Sequence, residues 1–253
     1  MVETIGYAAK HSFSRMKPFR FTREDPKDNE VLIDVLYCGV CHSDIHQVKN
    51  EWSNTVYPCV PGHEVVGRIA KAAKDGKYKV GDIVGVGCMV DSCQSCAPCK
   101  DGDEQYCEGP NGFLATYNGP FIPAAKAATG ENMYGRDNTY GGYSSNIVCR
   151  EDFVIAIPDA LKPEEAAPIL CAGVTTYSPM KHWGVKKGDK VGVIGLGGLG
   201  HMAVKIAKAL GAEVTVFTTS EDKKADAEQL GASHVAIEKE IAKKADELGA
   251  KPG

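Results

Sequence analysis

Four closely spaced cysteines constrain the fold of this chain more than any other feature: Cys93, Cys96, Cys99 and Cys107. Two residues separate each of the first three, and seven residues separate the third from the fourth. A loop with this spacing can turn four thiolates towards one centre and complete a tetrahedron around a metal ion. The intervening residues are polar turn-formers with little to bury, so a metal would supply the cohesion of the loop. The pattern predicts a structural zinc site.

An iron–sulfur cluster is the competing interpretation, because it also uses cysteines separated by two residues. The ferredoxin run places three residues before its fourth cysteine and a proline after it. Here seven residues intervene and Glu108 follows. The spacing therefore favours zinc over an iron–sulfur cluster and over a loop without metal.

The composition excludes several classes of protein. The net charge is -4 and no basic block occurs, which argues against a nucleic-acid partner. No stretch approaches the ~18 consecutive apolar residues that a membrane span needs. Charged and polar residues interrupt the first seventeen positions, so we expect no signal peptide. We therefore expect a cytoplasmic protein whose ten cysteines stay reduced.

Further metal-ligand residue types are scattered along the chain. The segment 37–46 contains two cysteines, two histidines, a serine and an aspartate, and it follows an apolar strand-like run, 31–36. His63 precedes another β-rich stretch, and Cys171 lies in a predicted helical stretch from Pro163 to Trp183. Two cysteines and a histidine from separate elements would leave a fourth coordination position open, as catalytic zinc requires. Taken singly, a buried cysteine such as Cys171 is more often a small core residue than a ligand, and His63 is compatible with a hydrogen-bonded core histidine.

A glycine-rich loop indicates a nucleotide site. A predicted strand, 190–194, runs into Gly195, Leu196, Gly197, Gly198, Leu199 and Gly200. A helical pattern over 201–210 and a second strand over 213–217 follow. In this setting the first glycine permits a tight turn, the second lets the backbone approach a pyrophosphate, and the third allows close helix–strand packing. The loop predicts dinucleotide binding, with a merely structural glycine turn as the alternative.

The end of the second strand indicates which dinucleotide is bound. NAD-binding sites normally carry an acidic residue there for the ribose 2′-hydroxyl. This chain instead has Thr218, Thr219 and Ser220, with Lys223 one turn later. Hydroxyl groups and a cation suit a 2′-phosphate, and the nearby Glu221 and Asp222 have an ordinary explanation as first-turn helix residues. NADP(H) is therefore favoured over NAD(H).

Taken together, these motifs resemble the zinc-dependent medium-chain alcohol dehydrogenases, and most closely their cinnamyl-alcohol-dehydrogenase-like branch. The resemblance rests on Cys-Gly-Val-Cys-His-Ser-Asp at 38–44, Pro-Gly-His-Glu at 61–64, the cysteine loop, Gly-Gly-Tyr at 141–143, Leu-Cys-Ala-Gly at 170–173 and the glycine loop. It extends over nearly the whole chain to about residue 237. The branch reduces aldehydes with NADPH.

The resemblance implies roles for individual residues. Cys41, His63 and Cys171 would hold a catalytic zinc, with Glu64 as a close neighbour able to exchange with zinc-bound water. Ser43 and His46 match the family's proton relay, and His42 matches a position that contacts the cofactor pyrophosphate. The cysteine loop would hold the second, structural zinc. The remaining cysteines match no ligand position and are expected to be packing residues: Cys38, Cys59, Cys88 and Cys149.

The resemblance also implies the fold and the partners. We expect an α/β chain with a mostly β, GroES-like catalytic domain over 1–155. A partial Rossmann domain over 156–253 would hold the first half of a doubly wound parallel sheet. The cofactors would be zinc, two per chain, and NADP(H). The substrates would be aldehydes and primary alcohols, with a homodimer expected from the family.

Two alternatives to an active oxidoreductase stay open. Because only the first half of the dinucleotide fold is predicted, the chain could be a truncated, inactive remnant that keeps zinc and nucleotide sites without turnover. An iron-binding electron carrier is the more distant alternative.

Overall fold

Antiparallel strands build the first part of the chain, as seen in the computed structural model, which describes residues 1–120 and 138–240. Alternation of apolar and polar residues gives these strands one buried face. They are β1 (Val2–Ala8), β2 (Lys17–Arg23), β3 (Glu30–Cys38), β4 (Val65–Lys71), β5 (Ile83–Val86), β6 (Met89–Asp91), β7 (Leu114–Ala115), β8 (Asn146–Arg150) and β9 (Val154–Ala156).

A five-stranded antiparallel sheet in the order β8-β3-β4-β5-β9 forms the centre of this part. Its buried face carries Val31, Ile33, Val65 and Ile69, all fully buried in one apolar cluster. β1 pairs with β2, and β6 pairs with β7, in separate two-stranded sheets. The strand predicted over 31–36 is confirmed as the middle of β3.

The register of this sheet determines which loops meet. Cys38 at the end of β3 pairs with Val65 at the start of β4, and Val65 pairs with Val86 at the end of β5. Because these strands are antiparallel, the segments after Cys38, before Val65 and after Val86 leave the sheet at the same end. We call it the Cys38–Val65–Val86 end.

Short helices accompany the strands of this first part. They are α1 (His42–Val48), α2 (Ala97–Lys100) and α3 (Pro163–Ala166). A 3₁₀ turn, Ala167–Leu170, follows α3, and Cys171 then leaves helical geometry with φ −125° and ψ −75°. The helical stretch predicted from 163 to 183 is therefore interrupted at Cys171. Pro168 has no backbone N–H to donate to the preceding helical turn, which breaks the α-helical ladder.

Parallel strands build the rest of the chain. β10 (Lys190–Ile194), β11 (Glu213–Thr218) and β12 (His234–Ile237) pair in the order β10-β11-β12. The helices are α4 (Ala172–His182), α5 (Gly198–Ala209) and α6 (Lys224–Leu230). Val193, Val204, Val214 and Val216 form the buried cluster between sheet and helices. The predicted mostly β part and the partial parallel sheet are both confirmed.

The chain divides into two compact units, Met1–Cys171 and Ala172–Gly253. Residues 156–171 lie in the first unit, where Ala166, Ala167 and Leu170 pack against Val66 of β4. The functional domain boundary expected at 155/156 stays a prediction. Positions 241–253 of the predicted second domain lie outside the described residues. Among the described helices, none is long and apolar enough to cross a bilayer.

Candidate metal centres and nucleotide loop

The four cysteines of the predicted zinc loop come together in space. Their sulfur atoms all lie within 4.8 Å of one another, and the Cys93 and Cys99 sulfurs are 3.9 Å apart. α2 supplies the middle of the loop, since Cys96 stands at its N-terminal cap and Cys99 lies within it. Four sulfurs at this separation surround a volume suited to one tetrahedral ion.

Backbone N–H groups point at the sulfurs of the loop. The N–H of Cys96 donates to Cys93 Sγ at 3.3 Å, and that of Glu108 donates to Cys96 Sγ at 3.4 Å. Hydrogen bonds from Ser95 and from Cys96 lower the pKa of the Cys93 thiol. Donors of this kind stabilise thiolates rather than thiols. The loop therefore fits a structural zinc ion in donor type, number and charge.

A second group of donors forms at the Cys38–Val65–Val86 end of the sheet. Donor atoms of Cys41, His63, Glu64 and Cys171 lie within 4.8 Å of one another. The Cys41 and Cys171 sulfurs are 3.9 Å apart. The sheet register explains this convergence, because Cys41 follows β3 and His63 precedes β4. Two thiols and an imidazole beside a carboxylate suit zinc with an exchangeable fourth position.

The buried carboxylate of Asp44 holds this second group in place. Its Oδ1 accepts hydrogen bonds from the N–H of Gly62 and from Nδ1 of His63, both at 3.0 Å. Its Oδ2 accepts from the N–H of Cys41 at 3.0 Å and from the Tyr143 hydroxyl at 2.9 Å. Because Nδ1 of His63 is engaged, Nε2 is the nitrogen left for a metal.

Charge in this pocket depends on the same contacts. Burial acts to lower the pKa of His63, but hydrogen bonds with Asp44 and Cys171 outweigh it and raise the pKa to about 10. Burial raises the pKa of Glu64. The site without an ion thus holds protons that a cation would displace on binding.

The sequence prediction does not include Asp44 among the functional residues. A local signal was available, since Cys41 and Asp44 have the three-residue spacing of a capping pair and Asp44 caps the N-terminus of α1. The contacts with Gly62, His63 and Tyr143 bridge 18 to 99 positions. No spacing rule reveals contacts of that range.

The predicted relay and pyrophosphate residues all lie on α1. The rings of His42 and His46 have centroids 4.7 Å apart, and Trp52 packs against His46 at 5.5 Å. His46 Nδ1 is hydrogen-bonded to the carboxylate of Glu51. This bond lowers the pKa of Glu51. Ser43 is half-buried one residue before Asp44.

The glycine loop connects β10 to α5, the context that a dinucleotide site requires. Gly195 has φ +84°, a conformation that favours glycine. A Cβ at Gly200 would lie 2.1 Å from the Gly195 carbonyl oxygen, whereas Gly197 and Gly198 face open space. The backbone is thus accessible to an anion at the start of a helix.

The predicted 2′-phosphate residues follow the end of β11. Thr218 is buried and is the last residue of that strand, whereas Thr219 is exposed and Ser220 half-buried. Lys223 is exposed in the short 3₁₀ turn Glu221–Lys223. Their cofactor role stays a prediction.

Cys88 departs from its expected packing role. All ten cysteines lie within the described residues, and Cys88 is the one that is exposed. The packing interpretation is therefore wrong for Cys88, while Cys59 and Cys149 are fully buried as expected.

Comparison with known proteins places this geometry in a family. The alcohol dehydrogenase GroES-like domain matches residues 27–159, and the zinc-binding dehydrogenase domain matches residues 198–252. The aldehyde reductase YahK of Escherichia coli (strain K12) is 48% identical over 252 residues, which are 98% of this chain and 66% of that protein. The chain belongs to the zinc-dependent medium-chain alcohol dehydrogenases.

Other relatives place the chain in the cinnamyl alcohol dehydrogenase branch of these dehydrogenases. Cinnamyl alcohol dehydrogenase 8 of Arabidopsis thaliana is 47% identical over 99% of this chain and 67% of its own length. A solved Sorghum bicolor cinnamyl alcohol dehydrogenase has TM-score 0.85 and 43% identity, covering 95% of this chain and 65% of that one. The Helicobacter pylori enzyme complexed with NADP(H) has TM-score 0.83 and 45% identity, covering 92% of this chain and 64% of that one.

The resemblance to zinc-dependent alcohol dehydrogenases inferred from the motifs is thereby confirmed. The chain spans about two thirds of the length of the curated relatives that it matches.

Replacing Cys99 by serine tests the zinc loop. We expect Cys99→Ser to lose the zinc of the loop while keeping the other ion, because one of four donors is removed. Elemental analysis of the purified chain and proteolysis within 93–107 measure this. Cys38→Ser, a half-buried thiol outside both donor groups, serves as the control. Unchanged zinc content in Cys99→Ser would contradict the site.

Replacing Asp44 by asparagine tests whether its carboxylate orients His63 in the second donor group. The amide offers one acceptor oxygen instead of two, so His63 loses its orientation. We expect zinc affinity at the second group to fall about 10- to 100-fold, with the cysteine loop unaffected. Competition with a chelating dye measures both affinities. Asp159→Asn, at an exposed aspartate of the same unit, should change neither.

Proposed function

We propose that this protein is a zinc-dependent oxidoreductase that transfers hydride between NADP(H) and an aldehyde or primary alcohol. The observation that carries the proposal is the convergence of Cys41, His63, Glu64 and Cys171 beside the Asp44 carboxylate. Three strong zinc donors and one displaceable carboxylate leave a position for a substrate oxygen. The names of the relatives, aldehyde reductase and cinnamyl alcohol dehydrogenase, support the same reaction class.

Two bound groups would supply the chemistry. A zinc ion on Cys41, His63 and Cys171 would polarise the carbonyl oxygen, and NADPH at the glycine loop would provide hydride. The chain's own residues would orient the zinc ligands and transfer a proton to the substrate oxygen. Asp44 fixes the His63 tautomer so that Nε2 faces the donor group. Glu64, whose pKa is raised by burial, would be the neighbouring carboxylate able to exchange with zinc-bound water.

Proton movement would pass along α1. The Ser43 hydroxyl exchanges the proton of the alcohol oxygen, and the imidazole of His46 passes it to solvent. Nδ1 of His46 donates a hydrogen bond to the Glu51 carboxylate, so Nε2 is the nitrogen left for the relay. The resemblance further assigns His42 a contact with the cofactor pyrophosphate.

Selection of NADP(H) would come from the end of β11. The hydroxyl groups of Thr218, Thr219 and Ser220 donate to a 2′-phosphate, and Lys223 adds a positive charge. The resemblance further suggests a 1–155 catalytic domain, a cytoplasmic location and a homodimer.

The second candidate is a remnant that binds zinc and nucleotide without turnover. The 253 residues span about two thirds of the length of these relatives, and their own turnover is what separates the two candidates. Such a chain would share every binding property with the enzyme and differ only in hydride transfer.

The decisive measurement is aldehyde-dependent NADPH oxidation by the 253-residue chain. We expect turnover that falls by about 100-fold or more in Cys171→Ser, because a ligand of the reacting centre is lost. Absorbance at the reduced nicotinamide band follows the reaction, and Cys38→Ser should retain the rate. A chain that holds both zinc ions and binds NADPH yet shows no aldehyde-dependent oxidation would be the remnant.

Removing the Lys223 cation tests the cofactor assignment. We expect Lys223→Ala to raise the Kd for NADPH about tenfold, the equivalent of losing ~1.4 kcal/mol, and to leave NADH binding unchanged. Fluorescence titration of both nucleotides measures the difference. Lys205→Ala, at an exposed lysine of α5, is the matched control. Equal weakening for both nucleotides would contradict a 2′-phosphate site.

A further inference from the structure

The hairpin of β1 and β2 carries basic residues without acidic ones. Between Glu3 and Glu24 the sequence has five Lys or Arg residues and no Asp or Glu, although the whole chain has a net charge of -4. One of the five, Arg23, is used inside the protein, where it donates hydrogen bonds to the backbone carbonyls of Tyr140 and Asn146, both at 3.1 Å. The other four are exposed, and we call them the hairpin cations: Lys10, Arg15, Lys17 and Arg20.

The tip of the hairpin gathers these charges on one surface. Their spacing leaves no basic run in the sequence, but the loop after β1 brings three of them around one hollow that is open to solvent. The side chains that line it include Lys10, His11, Phe13, Arg15 and Lys17. Ion pairs between residues within 1–120 and 138–240 include none of the hairpin cations. Their charge is therefore available to an external partner.

The loop at the tip is ordered by its own hydrogen bonds. Ala9 exchanges two backbone hydrogen bonds with Cys59, both at 2.9 Å. Ser14 Oγ accepts from the N–H groups of Lys10 and His11, at 2.8 and 3.2 Å, and donates to the His11 carbonyl oxygen at 2.8 Å. Because these backbone groups are satisfied within the protein, the loop keeps its shape without a partner.

Large apolar side chains are exposed on the same hairpin. Phe13 at the tip is 94% exposed, and Met16 is 39% exposed. Ile5 and Tyr7, at 45% and 54%, share one face of β1 because they are two positions apart. Arg20 pairs with Ile5 and therefore lies on that face as well. Exposed apolar side chains grouped with polar ones mark a surface that binds another protein or a membrane.

We propose that the β1–β2 hairpin binds the surface of a bilayer that contains anionic phospholipids. Phe13 enters the boundary between headgroups and acyl chains, and the hairpin cations contact lipid phosphates. A nucleic acid would also attract the cations, but it would leave the apolar side chains of β1 in water. The proposal uses no residue of either metal centre or of the glycine loop, so it stands apart from the proposed function.

The test measures binding of the zinc-loaded full chain to vesicles by sedimentation. Vesicles of phosphatidylcholine alone are compared with vesicles of phosphatidylcholine and phosphatidylserine in a ratio of about 7:3. We expect binding to the mixed vesicles only. Raising NaCl from about 0.1 M to about 0.5 M should weaken it about tenfold or more, because salt screens the attraction between exposed charges.

Replacing Phe13 tests the apolar contribution. We expect Phe13→Ser to raise the apparent Kd for the mixed vesicles about tenfold, because the aromatic ring no longer leaves water. The side chain is almost fully exposed, so the substitution leaves the core intact. Trp183→Ser, at an aromatic residue that is 80% exposed in the second unit, is the matched control and should bind like the unsubstituted chain.

Replacing two hairpin cations tests the charge contribution. We expect Lys10→Gln together with Arg15→Gln to raise the apparent Kd about 25-fold, which is about fivefold for each cation. Lys181→Gln together with Lys205→Gln removes the same charge from exposed positions elsewhere and should change it little.

Several outcomes overturn the proposal. These are absence of binding to the mixed vesicles, equal binding to both kinds of vesicle, and unchanged binding by Phe13→Ser. Duplex DNA serves as a competing polyanion in the same assay. Tighter binding of DNA than of mixed vesicles, reduced by the loss of the two cations and unaffected by Phe13→Ser, would assign the hairpin to nucleic acid instead.

Discussion

One buried carboxylate joins the segments on which the second metal centre depends. Asp44 accepts hydrogen bonds from Cys41, Gly62, His63 and Tyr143, which belong to three separate stretches of the chain. An ionised carboxylate taken out of water is unstable unless its lone pairs are satisfied. Four donors satisfy them here, and each donor is fixed in return. The His63 ring is therefore held at the place where its Nδ1 can donate to the buried carboxylate of Asp44.

Sheet register brings these segments within reach of one another. The antiparallel pairs Cys38–Val65 and Val65–Val86 align one end of β3, the start of β4 and the end of β5. A shift of one residue would turn the buried face of a strand towards solvent. The apolar face that stabilises the sheet thus also places Cys41, His63 and Cys88. Core packing and ligand geometry cannot vary independently in this unit.

The two metal centres differ in how far the sequence predicts them. The cysteine loop lies within fifteen consecutive positions, so spacing alone predicts that its sulfurs converge. The glycine loop is equally local, and the hydrophobic pattern around it predicts its strand–turn–helix setting. Convergence of Cys41, His63 and Cys171 required the family resemblance, since 130 positions separate the two cysteines. The contacts of Asp44 with Gly62, His63 and Tyr143 and the exposure of Cys88 depend on tertiary packing, so no local pattern reveals them, whereas the break before Cys171 has a local cause in Pro168.

The linear order of the donors has a consequence for biosynthesis. All eight candidate ligands belong to the unit that ends at Cys171, and the glycine loop begins only at Gly195. Chains emerge from the ribosome N-terminus first, and domains generally fold as units in that order. Both donor sets are therefore complete on the nascent chain before any of the nucleotide-binding strands has been synthesised. Metal loading can therefore precede cofactor binding. The second donor set becomes complete only after Cys171, the last of its ligands along the chain, has been translated.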